Sequence, residues 1–183
     1  MARKRRNPKG KKINPTLFVF CEGETEESYI NLLKAEYRIP SIIIHPRIGG
    51  NNITENYIQN YKKDKPTHEK DITFLLYDLD VPTMLQRLSQ INNCTLLVSN
   101  PCVELWFLLH YKNQTSSTNI AYCSKELINR NKSYKKGLID NKLKDKLVTK
   151  KNDASKRAKN LTEYDNPSST VYKLIEILDK LKN

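Results

Sequence analysis

The sequence lacks the patterns that mark a membrane-spanning, secreted or zinc-binding protein. Its 183 residues contain no apolar run near the roughly 18 residues that a membrane-spanning helix needs. The apolar run that follows the basic start, Leu17 to Cys21, is too short for a secretory signal. The four cysteines show no C-x-x-C spacing, which favours small buried side chains over a metal site or a disulfide framework. We therefore expect a soluble, cytoplasmic protein with no membrane partner, of a length typical of one domain.

Acidic residues are scarce relative to basic ones, at 20 Asp and Glu against 32 Lys and Arg, and the net charge is +12. Residues 1–12 hold seven cations and no acid, and residues 130–160 hold twelve cations and three acids. These two segments together carry more positive charge than the whole chain, so the remainder is net acidic. Basic appendages on an acidic body favour a polyanion ligand, RNA or DNA, over a surface that is merely solvated.

Apolar, β-rich runs alternate with helical patterns through the first 111 residues. Strands are predicted at 16–21, 41–45, 72–77 and 94–98. Helices are predicted to begin at Thr25, Ile53, Pro82 and Asn100, the last with Asn100 as N-cap and Pro101 at the first helical position. This alternation indicates an α/β fold with a mainly parallel sheet flanked by helices.

Composition divides the chain into three predicted parts. Residues 1–12 are expected to form a disordered basic arm, and 13–118 an α/β core. Residues 119–183 are expected to form a helical, basic C-terminal extension that packs on this core. Its last helix is predicted from about Ser168 to Leu181, where apolar residues recur at helical spacing.

Three acidic residues directly follow predicted strands: Glu22 after the first, and Asp78 and Asp80 after the third. Open parallel sheets bind ligands at the carboxyl ends of their strands. Clustered carboxylates raise one another's pKa, and a divalent cation that prefers oxygen ligands, Mg²⁺ or Mn²⁺, relieves their repulsion. D-x-D triplets also occur as ordinary loop carboxylates or caps, so the triplet alone leaves both interpretations open.

The run Glu22-Gly23-Glu24-Thr25-Glu26, combined with Asp78-Leu79-Asp80, resembles the Toprim domain, a catalytic fold shared by topoisomerases, primases and several nucleases. The resemblance implies Mg²⁺-dependent chemistry on phosphodiesters. Asp78 and Asp80 would hold the metal, and Glu22 would be a general acid or base or a further metal ligand. The number of metal ions stays open.

A longer stretch, from Ser99-Asn100-Pro101 through Glu104 and Trp106 to His110, resembles the S-N-P-x-x-E-x-W-x-x-x-H signature of RloB-like proteins. The runs Phe20 to Glu26, Tyr77 to Asp80 and Asn166 to Val171 support it. The resemblance implies a Toprim-like nuclease, with RNA such as tRNA favoured, that acts in abortive-infection phage defence. It also implies an AAA- or ABC-type ATPase partner from the same locus, and it is compatible with a homo-oligomer.

Several further residues are candidates within this site. The predicted helix at Asn100 would point its N-terminal amides at the same rim as the acids, which favours a phosphate. Glu104, one turn in, would be a further metal ligand or the partner of a basic residue. His110 would donate to phosphate or pack in the interior, and Trp106 is expected in the core. Lys135 would stabilise a pentavalent phosphate.

Nucleic-acid contacts are predicted at basic residues of both appendages, each of which has solvated surface as its alternative interpretation. These residues are Arg3, Lys4, Arg5, Arg6, Lys136, Lys156, Arg157 and Lys159. Two other functions stay open at this point. One is a non-catalytic nucleic-acid-binding or regulatory subunit of an ATPase-containing complex, and the other is a hydrolase of nucleotides or phosphate esters.

Overall fold

The computed structural model describes residues 15–38 and 44–182, so the predicted arm at 1–12 lies outside the described residues. The strands are β1 (Leu17–Cys21), β2 (Ile44–Ile48), β3 (Ile72–Asp78), β4 (Cys94–Asn100) and β5 (Ser168–Ser169). The helices are α1 (Glu24–Tyr37), α2 (Glu55–Lys63), α3 (Met84–Ser89), α4 (Val103–Leu109), α5 (Ile120–Arg130), α6 (Asn141–Thr149), α7 (Lys151–Lys159) and α8 (Tyr172–Lys182). None of the described helices combines the length and apolar character needed to cross a bilayer.

The strands form one five-stranded sheet in the order β2-β1-β3-β4-β5. The first four strands run parallel, and β5 pairs antiparallel with β4. The prediction of an α/β fold with a mainly parallel, helix-flanked sheet is confirmed. The order places β1, β3 and β4 side by side, so their carboxyl ends meet at one rim of the sheet.

Alternate residues of the buried strands face two separate cores. In β1, Leu17, Val19 and Cys21 pack in a large core with α1, α4, α6, α7 and α8. The residues between them, Phe18 and Phe20, pack in a smaller core with α2 and α3. Every residue of β1 is fully buried, which explains its continuous apolar run.

The C-terminal part of the chain completes the sheet as well as the large core. Ser168 and Ser169 form β5, so the prediction that the last helix starts at Ser168 is wrong, and α8 begins at Tyr172. Thr170 fixes this segment, since its amide donates to the carbonyl of Val98 at 2.8 Å and its Oγ1 accepts from the Val98 amide at 2.8 Å. Residues 119–182 therefore share one core with the preceding strands.

The start of α4 also differs from the prediction. The N-cap is Cys102, in extended conformation, and the helix begins at Val103, so the prediction of Asn100 as cap and Pro101 as first helical residue is wrong. Asn100 is instead the last residue of β4 and pairs with Ser168 of β5. The extra strand pairing keeps the chain extended past the residues whose types suggested a helix start.

The second strand lies later in the chain than predicted. The described strand β2 spans Ile44–Ile48, whereas the prediction covered 41–45, most of which falls outside the described residues. Pro46 lies within β2, where its missing N–H is tolerated because β2 pairs with β1 alone among the described strands.

Candidate active site

Four carboxylates meet where β1, β3 and β4 end. Glu22 directly follows β1, Asp78 is the last residue of β3, and Glu104 lies in the first turn of α4, which follows β4. Glu26 joins them from the first turn of α1. Glu22, Glu26, Asp78 and Glu104 are called the acidic cluster below.

Hydrogen bonds link the three strand ends through this cluster. The amide of Asp78 donates to Glu22 Oε2 at 2.9 Å. The Asp78 carboxylate in turn accepts, at Oδ1, from the amide of Val103 at 2.7 Å. The first amide of α4 is therefore engaged by a side chain of the protein, so it is not the free phosphate-binding group that the sequence suggested.

The two glutamates on helices are almost fully buried. Glu26 is 5% exposed, and its Oε2 accepts from the Gly23 amide at 3.0 Å, which closes the N-terminal turn of α1. Glu104 is 1% exposed, and its Oε1 accepts from the Tyr134 hydroxyl at 2.9 Å. Lys136 Nζ lies 3.7 Å from the same oxygen. Each glutamate is thus held by a specific partner despite its burial.

The four carboxylates interact electrostatically. Burial raises the pKa of Asp78 well above its ordinary value, and the charges of Glu26, Glu22 and Glu104 raise it further. Burial also raises the pKa of Glu26, and the charges of Glu22 and Glu104 add to that shift. Within the part of the chain that the structure describes, the four acids are opposed by the one ammonium of Lys136, and this balance of charge favours a bound cation.

Lys136 is the basic residue of this site. Its pKa is raised, first by the charge of Glu104 and then by other neighbours that include Asp78 and Glu26. The ammonium is therefore a counter-charge to the whole cluster. Its side chain is 63% exposed, so it also faces solvent, from which a polyanion would approach.

The loop that carries Lys136 is docked on the start of α1. The Gly137 amide donates to Thr25 Oγ1 at 2.9 Å, and Ser28 Oγ donates to the Gly137 carbonyl at 2.7 Å. Gly137 has φ +76, a left-handed conformation that glycine adopts without strain. A side chain there would also meet Glu24, since an added Cβ would lie 3.1 Å from its Oε2.

The structure brings together some of the predicted site residues and separates others. Glu22, Asp78 and Glu104 meet in the acidic cluster, whereas Asp80 lies exposed at its edge, where its charge helps burial to raise the pKa of Glu22. Lys135 is exposed and bridges to Leu138 in a tight turn. The lysine that reaches the acidic cluster is the next residue, Lys136.

His110 lies in the interior, at 2% exposure, with Nδ1 2.9 Å from the carbonyl oxygen of Trp106. The charges that act on its pKa come from α7, from Arg157 and Asp153, and no acidic-cluster residue is among them. The expectation that Trp106 lies in the core is confirmed, since its side chain is fully buried. We therefore leave His110 out of the site.

The buried position of His110 predicts an acid-sensitive contribution to stability. Burial, aided by the Arg157 charge, lowers the pKa of His110 from 6.5 to about 4. In the unfolded chain the imidazole of His110 becomes protonated near pH 6.5, whereas in the folded chain it stays neutral until the pH approaches 4. The free energy of unfolding therefore decreases as the pH falls from 6.5 toward 4. Between pH 7 and pH 5 this loss should be about 2 kcal/mol.

Denaturant unfolding of His110→Gln and of the wild type at both pH values measures this contribution. The wild type should lose about 2 kcal/mol more than the variant, and His68→Gln, in a partly exposed loop, should behave as the wild type. Equal losses in the wild type and His110→Gln would contradict a buried, neutral imidazole.

Of the predicted nucleic-acid contacts, Arg3, Lys4, Arg5 and Arg6 lie outside the described residues. Two of the others are engaged within the protein. Arg157 donates to the Leu109 carbonyl at 2.6 Å, and Lys159 pairs with Glu176. Lys156 is exposed on α7, and Lys136 is the neighbour of Glu104 described above.

Sequence reasoning missed Glu26 and Tyr134 as members of this site. A glutamate in the first turn of a helix is typical of capping and of the helix dipole, and Glu26 does close that turn. The signal for its second role was the motif that follows β1, which ends at Glu26. The only sequence signal near Tyr134 was the run Tyr134-Lys135-Lys136-Gly137. Its glycine indicates a turn, and in the structure this turn contacts α1.

The chemistry of the acidic cluster fits a hard divalent cation. Its donors are all carboxylate oxygens, the type that Mg²⁺ and Mn²⁺ prefer, and they are held close enough to raise one another's pKa. Within residues 15–38 and 44–182, no three His, Cys, Asp or Glu side chains already stand in the geometry of a metal site. A cation held here would need further oxygen ligands in addition to these side chains.

Comparison with known proteins adds a family and a distant structural neighbour. A family model described as "RloB-like protein" matches residues 17–178. No curated protein matches the sequence. Among solved structures, the C-terminal region of the Burkholderia pseudomallei OLD protein is similar at 16% identity and a TM-score of 0.39. That similarity covers 91% of this chain and 98% of the other.

Proposed function

This chain belongs to the RloB-like protein family, and on that premise we propose that it is a metal-dependent nuclease of Toprim-like fold. Its reaction would be hydrolysis of a phosphodiester, with RNA such as tRNA as the favoured substrate and DNA as the alternative. The observation that carries this proposal is the acidic cluster, four carboxylates with one lysine at the carboxyl ends of three adjacent parallel strands.

Asp78 and Glu22 would hold the cation, with Asp80 at the edge as the third oxygen donor predicted from the sequence. When bound, Mg²⁺ or Mn²⁺ would supply Lewis-acid polarisation of a phosphoryl oxygen. The amide of Val103 fixes the orientation of the Asp78 carboxylate in advance, since it donates to Oδ1 at 2.7 Å. This preorganisation avoids a reorientation cost when the substrate arrives.

The protein's own side chains would supply the remaining chemistry. Glu22 is more exposed than Glu26 and Glu104, and burial raises its pKa, so a Glu22 that is not taken up as a metal ligand would act as the general acid or base. Lys136 would oppose the negative charge that builds up on the phosphoryl oxygens. The Tyr134 hydroxyl holds Glu104 in place, and Glu104 in turn orients Lys136.

The proposed setting is an abortive-infection system in which this chain is the effector and an ATPase from the same locus is its partner. Inducing wild type and Asp78→Asn together with their genomic neighbours, and sequencing cellular RNA ends, tests this function. New RNA ends should appear with wild type and with Asp64→Asn, a matched change of an exposed aspartate at the end of α2. They should be absent with Asp78→Asn.

The opposite ranking would favour a non-catalytic nucleic-acid-binding subunit. In that case Asp78→Asn would keep full function in cells, while neutral substitutions at Lys136 and Lys156 would remove it. Identical RNA ends with and without the protein, in a culture whose growth it still arrests, would exclude RNA cleavage as its activity.

Metal binding predicts a specific change in stability. A ligand that binds only the folded chain at 100 times its Kd raises the free energy of unfolding by about 2.7 kcal/mol. Purified wild type and Asp64→Asn should gain this much with saturating MgCl₂, and Asp78→Asn should gain much less. Thermal unfolding at constant ionic strength measures the effect, with NaCl adjusted in the metal-free sample. An equal gain in the free energy of unfolding in all three proteins would mean that Mg²⁺ binds at a site that does not include Asp78.

A further inference from the structure

A cleft opens beside the acidic cluster, on the side of Asp80. Its volume is about 610 Å³, within the roughly 300–1,000 Å³ of pockets that hold small ligands. One wall begins at Leu79 and Asp80, immediately after Asp78, and another is the end of β4. The start of α5 closes the far side. A group that fills this cleft would lie at the carboxyl ends of β3 and β4, the same rim of the sheet that carries Asp78.

The lining selects against an anion. Among the described residues that line the cleft, Asp80 is the one charged side chain, and none of these residues is a lysine or an arginine. Much of the remaining wall is apolar, formed by Leu79, Pro82, Pro101, Ile120 and Ala121. A phosphate would meet a carboxylate with no counter-charge, whereas an uncharged ring could pack on the apolar wall.

The polar part of the lining offers both a donor and an acceptor. Asn119 accepts at Oδ1 from the Tyr122 amide, and Asn100 donates through Nδ2 to the Tyr164 carbonyl. Among the described residues, no hydrogen bond engages the amide NH₂ of Asn119 or the carbonyl oxygen of Asn100. A third side chain, Asn166, bonds twice to the Thr118 backbone and fixes the wall.

From this combination of apolar walls, neutral amides and position, we infer that the cleft holds a nucleobase of the substrate strand, next to the scissile phosphate. This inference rests on the proposed function. Proteins that recognise single-stranded or looped RNA bind unstacked bases by packing on their faces and by hydrogen bonds to their edges, and enzymes that extrude a base hold it between aromatic or apolar side chains. The cleft would thus select substrates in which that base is free to leave its stack.

The test uses nucleosides and a substitution that fills the cleft. Ala121→Trp places a large side chain at an exposed helical position of the lining, and Ala35→Trp makes the same change at an exposed position of α1. The probes are adenosine, guanosine, cytidine and uridine, with ribose 5-phosphate as the comparison. Binding is followed by NMR shifts of the full-length protein, read at the side-chain amides of Asn100 and Asn119.

At least one nucleoside should shift these amides in wild type and Ala35→Trp, and the shift should be lost in Ala121→Trp. Ribose 5-phosphate should leave them unmoved. The inference is overturned if ribose 5-phosphate acts as the nucleosides do, if Ala121→Trp keeps the nucleoside shifts, or if no nucleoside shifts the two amides.

A cleavage assay separates this inference from the proposed nuclease function. If the nucleoside shifts occur while wild type cleaves no RNA or DNA, the cleft is a base site and the nuclease proposal fails. If wild type cleaves RNA and Ala121→Trp cleaves it at the same rate, the nuclease proposal stands and the base site is rejected. A loss of cleavage of about tenfold or more in Ala121→Trp alone supports both.

Discussion

Asp78→Asn and Glu22→Gln are each expected to lower phosphodiester cleavage by about 10²–10⁴-fold, the usual range for removing an acid–base or electrostatic group. Each change keeps the size of the side chain and removes its charge. The oxygen that accepts from Val103 or from Asp78 can stay in place, so the hydrogen bonds between strand ends are retained. Cleavage of labelled single-stranded RNA in MgCl₂ measures the loss.

The same two variants should be more stable than wild type at neutral pH. Burial and the neighbouring carboxylates raise the pKa of Asp78, so the fold stabilises its neutral form relative to its charged form. An amide removes a charge that the fold tolerates poorly, and the same argument applies more weakly to Glu22, whose pKa is raised less. Denaturant unfolding at pH 7 should therefore show a gain that Asp64→Asn does not share.

The two measurements together separate chemistry from folding. A variant that cleaves poorly but is more stable than wild type would show that the replaced carboxylate lowers the stability of the fold and is needed for the reaction. Low cleavage with lower stability would mean that the variant has lost structure, and the activity result would say nothing of chemistry. Cleavage at the wild-type rate in either variant would remove that residue from the proposed mechanism.

The candidate acids could be predicted because they depend on sheet topology alone. Any residue directly after β1 or β3 must lie at the rim once those strands are parallel neighbours, and this places Glu22 and Asp78. The spacing of two residues would put Asp80 on the same face as Asp78 if the strand continued. Because β3 ends at Asp78, the alternation of faces along a strand does not apply to Asp80. Sheet topology therefore predicts the position of a side chain only up to the last residue of the strand, here Asp78.

Long-range pairing explains the structural features that the sequence did not predict. A two-residue strand such as β5 is too short to show a period, and it exists because Asn100 and Ser99 pair with it from β4. The same pairing displaces the start of α4 to Val103. Likewise, composition marked Arg157 and Lys159 as candidate nucleic-acid contacts but did not indicate their partners in the fold, the Leu109 carbonyl and the Glu176 carboxylate.

Lys136→Met is expected to lower cleavage by about 10²-fold, while Lys135→Met should leave it within about twofold. The two lysines are adjacent and both exposed, but they differ in their contacts. Lys136 lies 3.7 Å from Glu104 beside the acidic cluster, whereas Lys135 belongs to the bridge with Leu138 that closes the turn. Methionine keeps the length of the side chain and removes the ammonium, so both variants test charge at matched size.

A nonspecific role in attracting RNA would give a different result from a role at the reacting phosphate. If both lysines act only through long-range attraction, both variants should weaken RNA binding slightly and equally, and added salt should remove the difference. If Lys136 acts at the phosphate, its variant should lose kcat, should bind RNA nearly as wild type does, and should stay impaired at every salt concentration. Equal cleavage by the two variants would contradict a catalytic position for Lys136, because only its ammonium lies beside Glu104.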